Sequence, residues 1–194
     1  MQLLSVTFAG SLVGLQKAFA NTNTPTQYIS DGPKPVYIPP NGGKRGKIGA
    51  TDITFKLHKA QTQGNLGSSE MVVQPGYLGA PPHLHKGFDE ICIVLQGELH
   101  IMAGEKVYMV PAGGWHLRPR GIVHTFWNSG KGPAKIIEIY TPAGHEAYMK
   151  DLAKLFENGK RPDPGDLQNL AKHHDIEFHF DKLQAIIDKY KVQL

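Results

Sequence analysis

The sequence predicts an all-β barrel or sandwich followed by a short helical segment, and three observations support this. Between about residues 51 and 141, brief β-prone runs alternate with turn residues, as in antiparallel β proteins. After Thr141-Pro142 the apolar residues change to a helical spacing. The 194 residues suit one domain with terminal extensions, and 22 glycines and 14 prolines suit many turns.

Eight short strands are predicted in the barrel region, residues 51–141, from runs of β-branched, aromatic or alternating apolar residues. Gln96-Gly97, between the third and fourth runs, predicts a tight hairpin. Residues 21–50 are rich in Pro and Gly and are predicted to form an arm with one short strand at 36–38. The eight runs are 53–57, 70–74, 90–95, 98–102, 106–110, 114–118, 124–128 and 135–140.

Residues 142–194 are predicted to form a helical extension of three short helices. The first ends at Gly159, the second begins at Asp163-Pro164, and the third begins near Asp181. Each carries apolar residues on one side. These helices are therefore expected to cover an end of the barrel or to contact a second copy of the chain.

Composition excludes several classes of protein. The formal net charge is +4, but Lys and Arg are dispersed without a basic stripe, so no nucleic-acid partner is expected. Cys92 is the single cysteine, which excludes an intramolecular disulfide, and its apolar neighbours predict a buried thiol. No apolar stretch is long enough to span a membrane.

Residues 1–20 have features of an export signal. Leu3 to Leu15 are mostly small and apolar, and Ala18-Phe19-Ala20 matches a cleavage pattern, although a positively charged start is missing. The expectation is a signal peptide and an exported protein, periplasmic or secreted; without cleavage the protein would be cytoplasmic.

The chemistry is concentrated in two segments. His83 and His85 are two residues apart in a predicted strand, so both imidazoles point to the same face, and a short turn brings Glu90 beside them. His124 follows a turn containing Pro119 and begins another strand. Three imidazoles and one carboxylate suit one divalent transition metal, and Fe, Mn, Ni, Co, Cu and Zn all remain open.

These two segments resemble the paired motifs of the cupin superfamily. The first, G-x5-H-x-H-x3-4-E-x6-G, is matched at His83, His85, Glu90 and Gly97; its leading glycine is either displaced by one to Gly76 or replaced by Tyr77. The second, G-x5-P-x-G-x2-H-x3-N, is matched in full from Gly113 to Asn128. The resemblance implies a double-stranded β-helix, or jelly-roll, barrel in which His83, His85, Glu90 and His124 hold the metal.

Residues 36–180 further resemble bacterial quercetin 2,3-dioxygenase-like cupins. That resemblance implies a dioxygenase that brings a flavonol-type enolate and O2 together, with Glu90 as the catalytic residue that accepts the hydroxyl proton. Phe88, Phe126 and, more weakly, Trp115 are the candidate substrate-binding residues, because an aromatic substrate needs an apolar wall. Core packing is the alternative role for these aromatic residues.

Two other functions stay open at this stage. A metal-dependent isomerase or decarboxylase would work without O2 and would need a further acid or base inside the barrel. A non-catalytic metal- or ligand-binding cupin would have no turnover. In each case the partner is a small molecule, and edge strands predict a homodimer.

Overall fold

The computed structural model describes residues 34–194, which form two antiparallel β-sheets around one apolar interior. The first sheet has the strand order β1-β2-β3-β11-β6-β9, and the second has the order β12-β5-β10-β7-β8, with β4 also paired to β10. The strands are β1 Lys44–Ile48, β2 Thr51–Phe55, β3 Gly67–Val73, β4 Tyr77–Leu78, β5 His83–His85, β6 Asp89–Gln96, β7 Glu98–Ala103, β8 Lys106–Pro111, β9 Trp115–Arg118, β10 His124–Asn128, β11 Ala134–Thr141 and β12 Ile176–Phe178.

Inward-facing and outward-facing side chains alternate along the strands. In β6 and β11 every second residue is buried, and the residues between them are partly exposed. Both sheets supply the interior, for example Ile53 and Met71 from the first and Leu99 and Ile101 from the second. The predicted all-β barrel with a C-terminal helical extension is therefore confirmed.

Three helices follow the barrel: α1 His145–Leu155, α2 Pro164–His173 and α3 Leu183–Tyr190. The Asp163 side chain accepts a hydrogen bond from the Gly165 N–H, as expected of an N-cap followed by proline. Tyr148 and Met149 of α1 join the interior of the barrel. Ile186 of α3 instead packs with Trp127, which lies on the outer side of β10.

Several local expectations were wrong. Strands β6 and β7 belong to different sheets, so Gln96-Gly97 carries the chain between the sheets and is not a hairpin turn. Residues 36–38 are not a strand, while residues 44–48 of the predicted arm form β1 and pair with β2. Strand β12 was not predicted, because its three residues gain their partner only from β5, about ninety positions earlier.

The predicted signal peptide, residues 1–20, and residues 21–33 of the arm lie outside the described residues. Among the helices of residues 34–194, none combines the length and apolar character needed to cross a membrane.

Candidate metal site

Neighbouring strands bring the four predicted ligands together. Strand β5 carries His83 and His85, and β10 places His124 directly opposite His83. Glu90 lies at the start of β6, after the turn that follows β5. All four side chains are buried, and one ligand atom from each lies within 4.8 Å of the others.

Backbone carbonyls fix the tautomer of all three histidines. The Nδ1 atoms of His83, His85 and His124 are each 2.8 Å from a carbonyl oxygen, that of Pro81, Phe88 and Ile122 respectively. A carbonyl oxygen can only accept, so each Nδ1 carries the hydrogen and each Nε2 has a free lone pair. The same arrangement orients histidine ligands in metal sites.

The free lone pairs lack a donor. The buried Nε2 atoms of His85 and His124 have no hydrogen-bond partner in the described part of the chain, although Oε2 of Glu90 lies 3.8 Å and 3.2 Å from them. Lone pairs facing a carboxylate at these distances require a cation or added protons between them. The residues present therefore fit a divalent cation, and the mixed imidazole and carboxylate set suits a transition metal.

A buried ion network lies beneath Glu90. Nη1 of Arg118 is 3.1 Å from Oε2 of Glu90, and Nη2 forms a very short contact with Glu138. All three side chains are almost completely buried. Burial alone would raise the pKa of Glu90, but the charge of Arg118 holds this pKa well below its usual range. Burial raises the pKa of Glu138, which shares the same guanidinium.

His145, the first residue of α1, forms a further contact with the site. Its Nε2 lies 3.5 Å from Oε1 of Glu90, and its ring packs 4.7 Å from both Phe88 and Tyr140 between centroids. Its Nδ1 is buried without a partner within the described residues. Burial lowers the pKa of His145 to about 4, so the imidazole is neutral at pH 7.

The helical extension also supports the turn that joins β5 to β6. Oδ2 of Asp175 accepts hydrogen bonds from the Lys86 and Gly87 N–H groups, both at 2.8 Å. The next residues form β12, which pairs with β5 so that Phe178 lies opposite His83. The strand that carries two ligands is therefore held between β10 and β12.

The three aromatic candidates have different positions. Phe88 is buried and stacks on His85, with centroids 3.7 Å apart, so it contacts the site. Phe126 is buried on the inner side of β10, where Arg118 lies 5.2 Å from its ring centroid. Trp115 lies on the outer face of its sheet with 66% of its surface exposed, so a substrate-binding role for Trp115 is not supported by its position.

Sequence reasoning missed Arg118, Glu138 and His145. A signal existed for the first two, since each carries a charge at an inward position of a predicted strand. For His145 no local pattern exists, because it reaches the site only through the docking of α1.

Comparison with known proteins supports this reading of the barrel. Residues 69–140 match the family model of the cupin domain. The solved structure of KdgF from Halomonas sp. is similar in fold, with a TM-score of 0.51 at 14% identity, covering 59% of this chain and 99% of that chain.

Curated relatives are similar over part of their length. Oxalate oxidase GF-2.8 of Triticum aestivum is 40% identical over 92 residues, 43% of this chain and 41% of that protein. Germin-like protein 1-1 of Oryza sativa subsp. japonica is 40% identical over 116 residues, 57% of this chain and 51% of that protein. The HTH-type transcriptional regulator PuuR of Escherichia coli is 30% identical over 97 residues, 50% of this chain and 52% of that protein. The chain thus spans about two-fifths to half of these relatives.

Proposed function

Because residues 69–140 match the family model of the cupin domain, we propose that this chain is a metal-dependent dioxygenase acting on an aromatic or enolisable small molecule. One divalent transition metal would be held by His83, His85, Glu90 and His124. The observation that carries the proposal is the convergence of three Nε2 lone pairs and one carboxylate within 4.8 Å, without a donor for His85 and His124.

When bound, such a metal would act as a Lewis acid that lowers the pKa of a coordinated hydroxyl and brings the substrate together with O2. Glu90 would accept the hydroxyl proton. Arg118 keeps this carboxylate ionised but also makes it a weaker base, so the transfer would require that the pKa of the hydroxyl is lowered as well. Phe88 stacks on His85 and would give the site an apolar wall.

Oxygen consumption tests the proposal. Full-length protein loaded separately with Fe, Mn, Ni, Co, Cu or Zn is mixed with a flavonol. Oxalate, which cannot enolise, is assayed separately because a relative is named an oxalate oxidase, and uptake with oxalate alone would indicate an oxidase in place of a dioxygenase. We expect substrate-dependent O2 uptake with at least one metal, and its loss in His85→Ala. The matched control is His173→Ala, which changes an exposed histidine of α2 and should leave uptake unchanged. Absence of uptake with every metal and both substrates would contradict the dioxygenase proposal.

An isomerase or decarboxylase is the second candidate, and one observation favours it. Such an enzyme needs a further acid or base inside the barrel, and Glu138 is a buried carboxyl whose pKa is raised by burial. Turnover that is equal under air and under nitrogen would support this candidate.

Metal bound in stoichiometric amount without turnover of any substrate would instead support a non-catalytic binding cupin. Metal content should therefore be measured on protein purified without a chelating tag.

Export and a homodimer are proposals that do not depend on this chemistry. Export predicts that the native protein begins at Asn21, which mass spectrometry of protein from the original host would test. The homodimer is expected from the open strand edges of the sheets, and sedimentation velocity of the full-length protein would test it.

A further inference from the structure

A groove of about 370 Å³ lies on the barrel, separate from the candidate metal site. It is bounded by residues 36–39, by the paired residues Lys44 and Phe55 at the ends of β1 and β2, and by Lys150 of α1. None of the four candidate metal ligands lines it. Its volume is within the range of sites that bind small molecules. We call it the lysine groove, because Lys44, Lys56 and Lys150 all line it.

Two of these lysines approach one aromatic ring. Lys44 of β1 lies directly opposite Phe55 of β2, so the two side chains project from the same face of the sheet. Nζ of Lys150 lies 5.6 Å from the centre of the Phe55 ring. Phe55 is buried and still lines the groove, so its ring forms part of the base of the groove. The side chains of Lys44 and Lys150 are therefore gathered around one apolar surface.

The charges of Lys44 and Lys150 are not balanced by a carboxylate. Within residues 34–194 neither ammonium group forms an ion pair, and no acidic residue lines the groove. Lys56 differs, because its Nζ contacts the Glu70 carboxylate at 2.9 Å. Two like charges in one concave site create a positive potential, which favours the binding of an anion.

The groove also has an apolar wall. Tyr37 is 82% exposed and Val36 is 44% exposed, although both line a concave site. Single exposed apolar residues are common on protein surfaces, but here two neighbours lie beside two unpaired cations. This combination suits a ligand with a flat apolar body and an anionic end. The body would remove the apolar wall from water, and the anionic end would form charge-assisted hydrogen bonds with the lysines.

We propose that the lysine groove binds a small aromatic carboxylate, with the carboxylate between Lys44 and Lys150 and the ring against Tyr37 and Val36. Inorganic phosphate would pair with the lysines but would leave the apolar wall in water. A lipid surface is flat on this scale and could not enter a concave groove. The proposal does not depend on the proposed dioxygenase activity, because no residue of the groove belongs to the ligand set of the metal site.

Calorimetric titration of the full-length, metal-free protein with 2-naphthoate tests the proposal, since no metal is then present to bind the carboxylate. We expect saturable binding with a Kd of about 1 mM or lower at low salt. 2-Naphthamide has the same rings without the charge, and it should bind about tenfold more weakly. High salt should weaken the binding of 2-naphthoate by screening the lysines. Equal affinities for the two compounds, or no saturable binding of 2-naphthoate, would overturn the proposal. Inorganic phosphate that binds as tightly as 2-naphthoate would contradict the role of the apolar wall.

Substitutions in the groove separate local charge from net charge. Lys44→Gln with Lys150→Gln removes both unpaired cations, and we expect the affinity for 2-naphthoate to fall about tenfold with an unchanged circular dichroism spectrum. The matched control is Lys106→Gln with Lys172→Gln, which removes the same charge at exposed positions of β8 and α2, outside the groove. The control should keep the wild-type affinity. Equal losses of affinity in the two double variants would contradict a site at the groove.

The apolar wall and the position of the ligand are tested separately. Tyr37→Ser changes a highly exposed side chain and should weaken 2-naphthoate binding without affecting folding. In nuclear magnetic resonance spectra, 2-naphthoate should shift the backbone amide signals of His58 and Gln61, which line the groove, and not those of His83 and His124. The reverse pattern would place the ligand at the metal site and overturn the proposal. Binding should persist in His85→Ala, so failure of the dioxygenase proposal and failure of this one are distinguishable.

Discussion

Nη1 of Arg118 lies 3.1 Å from Oε2 of Glu90, in a part of the barrel where neither residue contacts solvent appreciably. Nη2 of the same guanidinium contacts Glu138. One cation thus balances two buried carboxyl groups, and removing it would leave both without a positive partner.

We expect Arg118→Met to lower the free energy of unfolding by about 3–5 kcal/mol, because breaking a buried ion pair leaves an uncompensated charge. Arg120→Met is the matched control. Arg120 pairs with Asp89 at 2.9 Å on the surface, where 46% of its side chain is exposed, so its loss should cost less than about 1 kcal/mol. Urea denaturation of the metal-free proteins measures both. Equal losses of unfolding free energy in the two variants would show that the buried network does not stabilise the protein more than the surface pair does. Adding Glu138→Gln to Arg118→Met should recover part of the lost free energy.

The pH dependence of stability should reveal the buried, neutral His145. Its pKa is lowered by burial from 6.5 to about 4, so between these values the unfolded chain binds a proton that the folded chain does not. Stability should therefore rise with pH from about 4 to 6.5 and then stay level as far as this group is concerned. Over this pH range, the free energy of unfolding should increase by about 3 kcal/mol because of His145.

His145→Phe should remove this part of the pH dependence. The measurement is urea denaturation at several pH values with a chelator present, so that metal binding does not contribute. His173→Phe, at an exposed position of α2, provides the control and should retain the wild-type slope. An unchanged slope in His145→Phe would mean that its imidazole is protonated with ordinary affinity in the folded state.

Asp175 should affect metal affinity from outside the ligand set. It accepts two hydrogen bonds from the turn between His85 and Glu90, and its φ of 58° is one that Gly and Asn also tolerate. Asp175→Gly keeps the backbone conformation and removes both hydrogen bonds, so we expect metal affinity to fall about tenfold. Competition with a chromophoric chelator measures this affinity. Asp175→Asn, which retains an acceptor oxygen, should show a smaller effect, and identical affinities in all three proteins would contradict this role.

Gly79 should be intolerant of even a methyl group. A Cβ atom at this position would lie 1.9 Å from the ring of Phe126, so the ring would have to move. We expect Gly79→Ala to destabilise the protein by about 1–3 kcal/mol through overpacking. Gly132→Ala is the control, since a Cβ there would have no neighbour within 4 Å, and its melting temperature should be nearly unchanged. A wild-type melting temperature in Gly79→Ala would show that Phe126 can repack freely.

The sequence was sufficient to predict the barrel and the clustering of the four candidate ligands. Strand β10 was predicted with its observed bounds, and the other predicted runs fall within a few residues of β2, β3, β6–β9 and β11. The reason is that alternation and turn residues are local signals. The convergence of His83, His85, Glu90 and His124 followed from two motifs, each contained in a short segment.

What the sequence did not predict depends on distant partners. Strand β1 exists because its residues pair with β2, and β12 because its residues pair with β5. Trp115 was a pocket candidate by residue type, but its strand parity places it on the outer face, opposite to its neighbour Arg118. The position of His145 follows from the docking of α1, for which neither motif gives information.

The pairing of β12 with β5 has a consequence for any shortened form of the protein. A fragment ending at Thr141 would retain all four candidate metal ligands but would lose His145, Asp175 and the strand that borders His83 and His85. Its ligand strand would have one bare side, with backbone groups open to water or to another molecule. We therefore expect the excised motif region to bind metal poorly and to aggregate, so domain grafts should extend at least through Phe178.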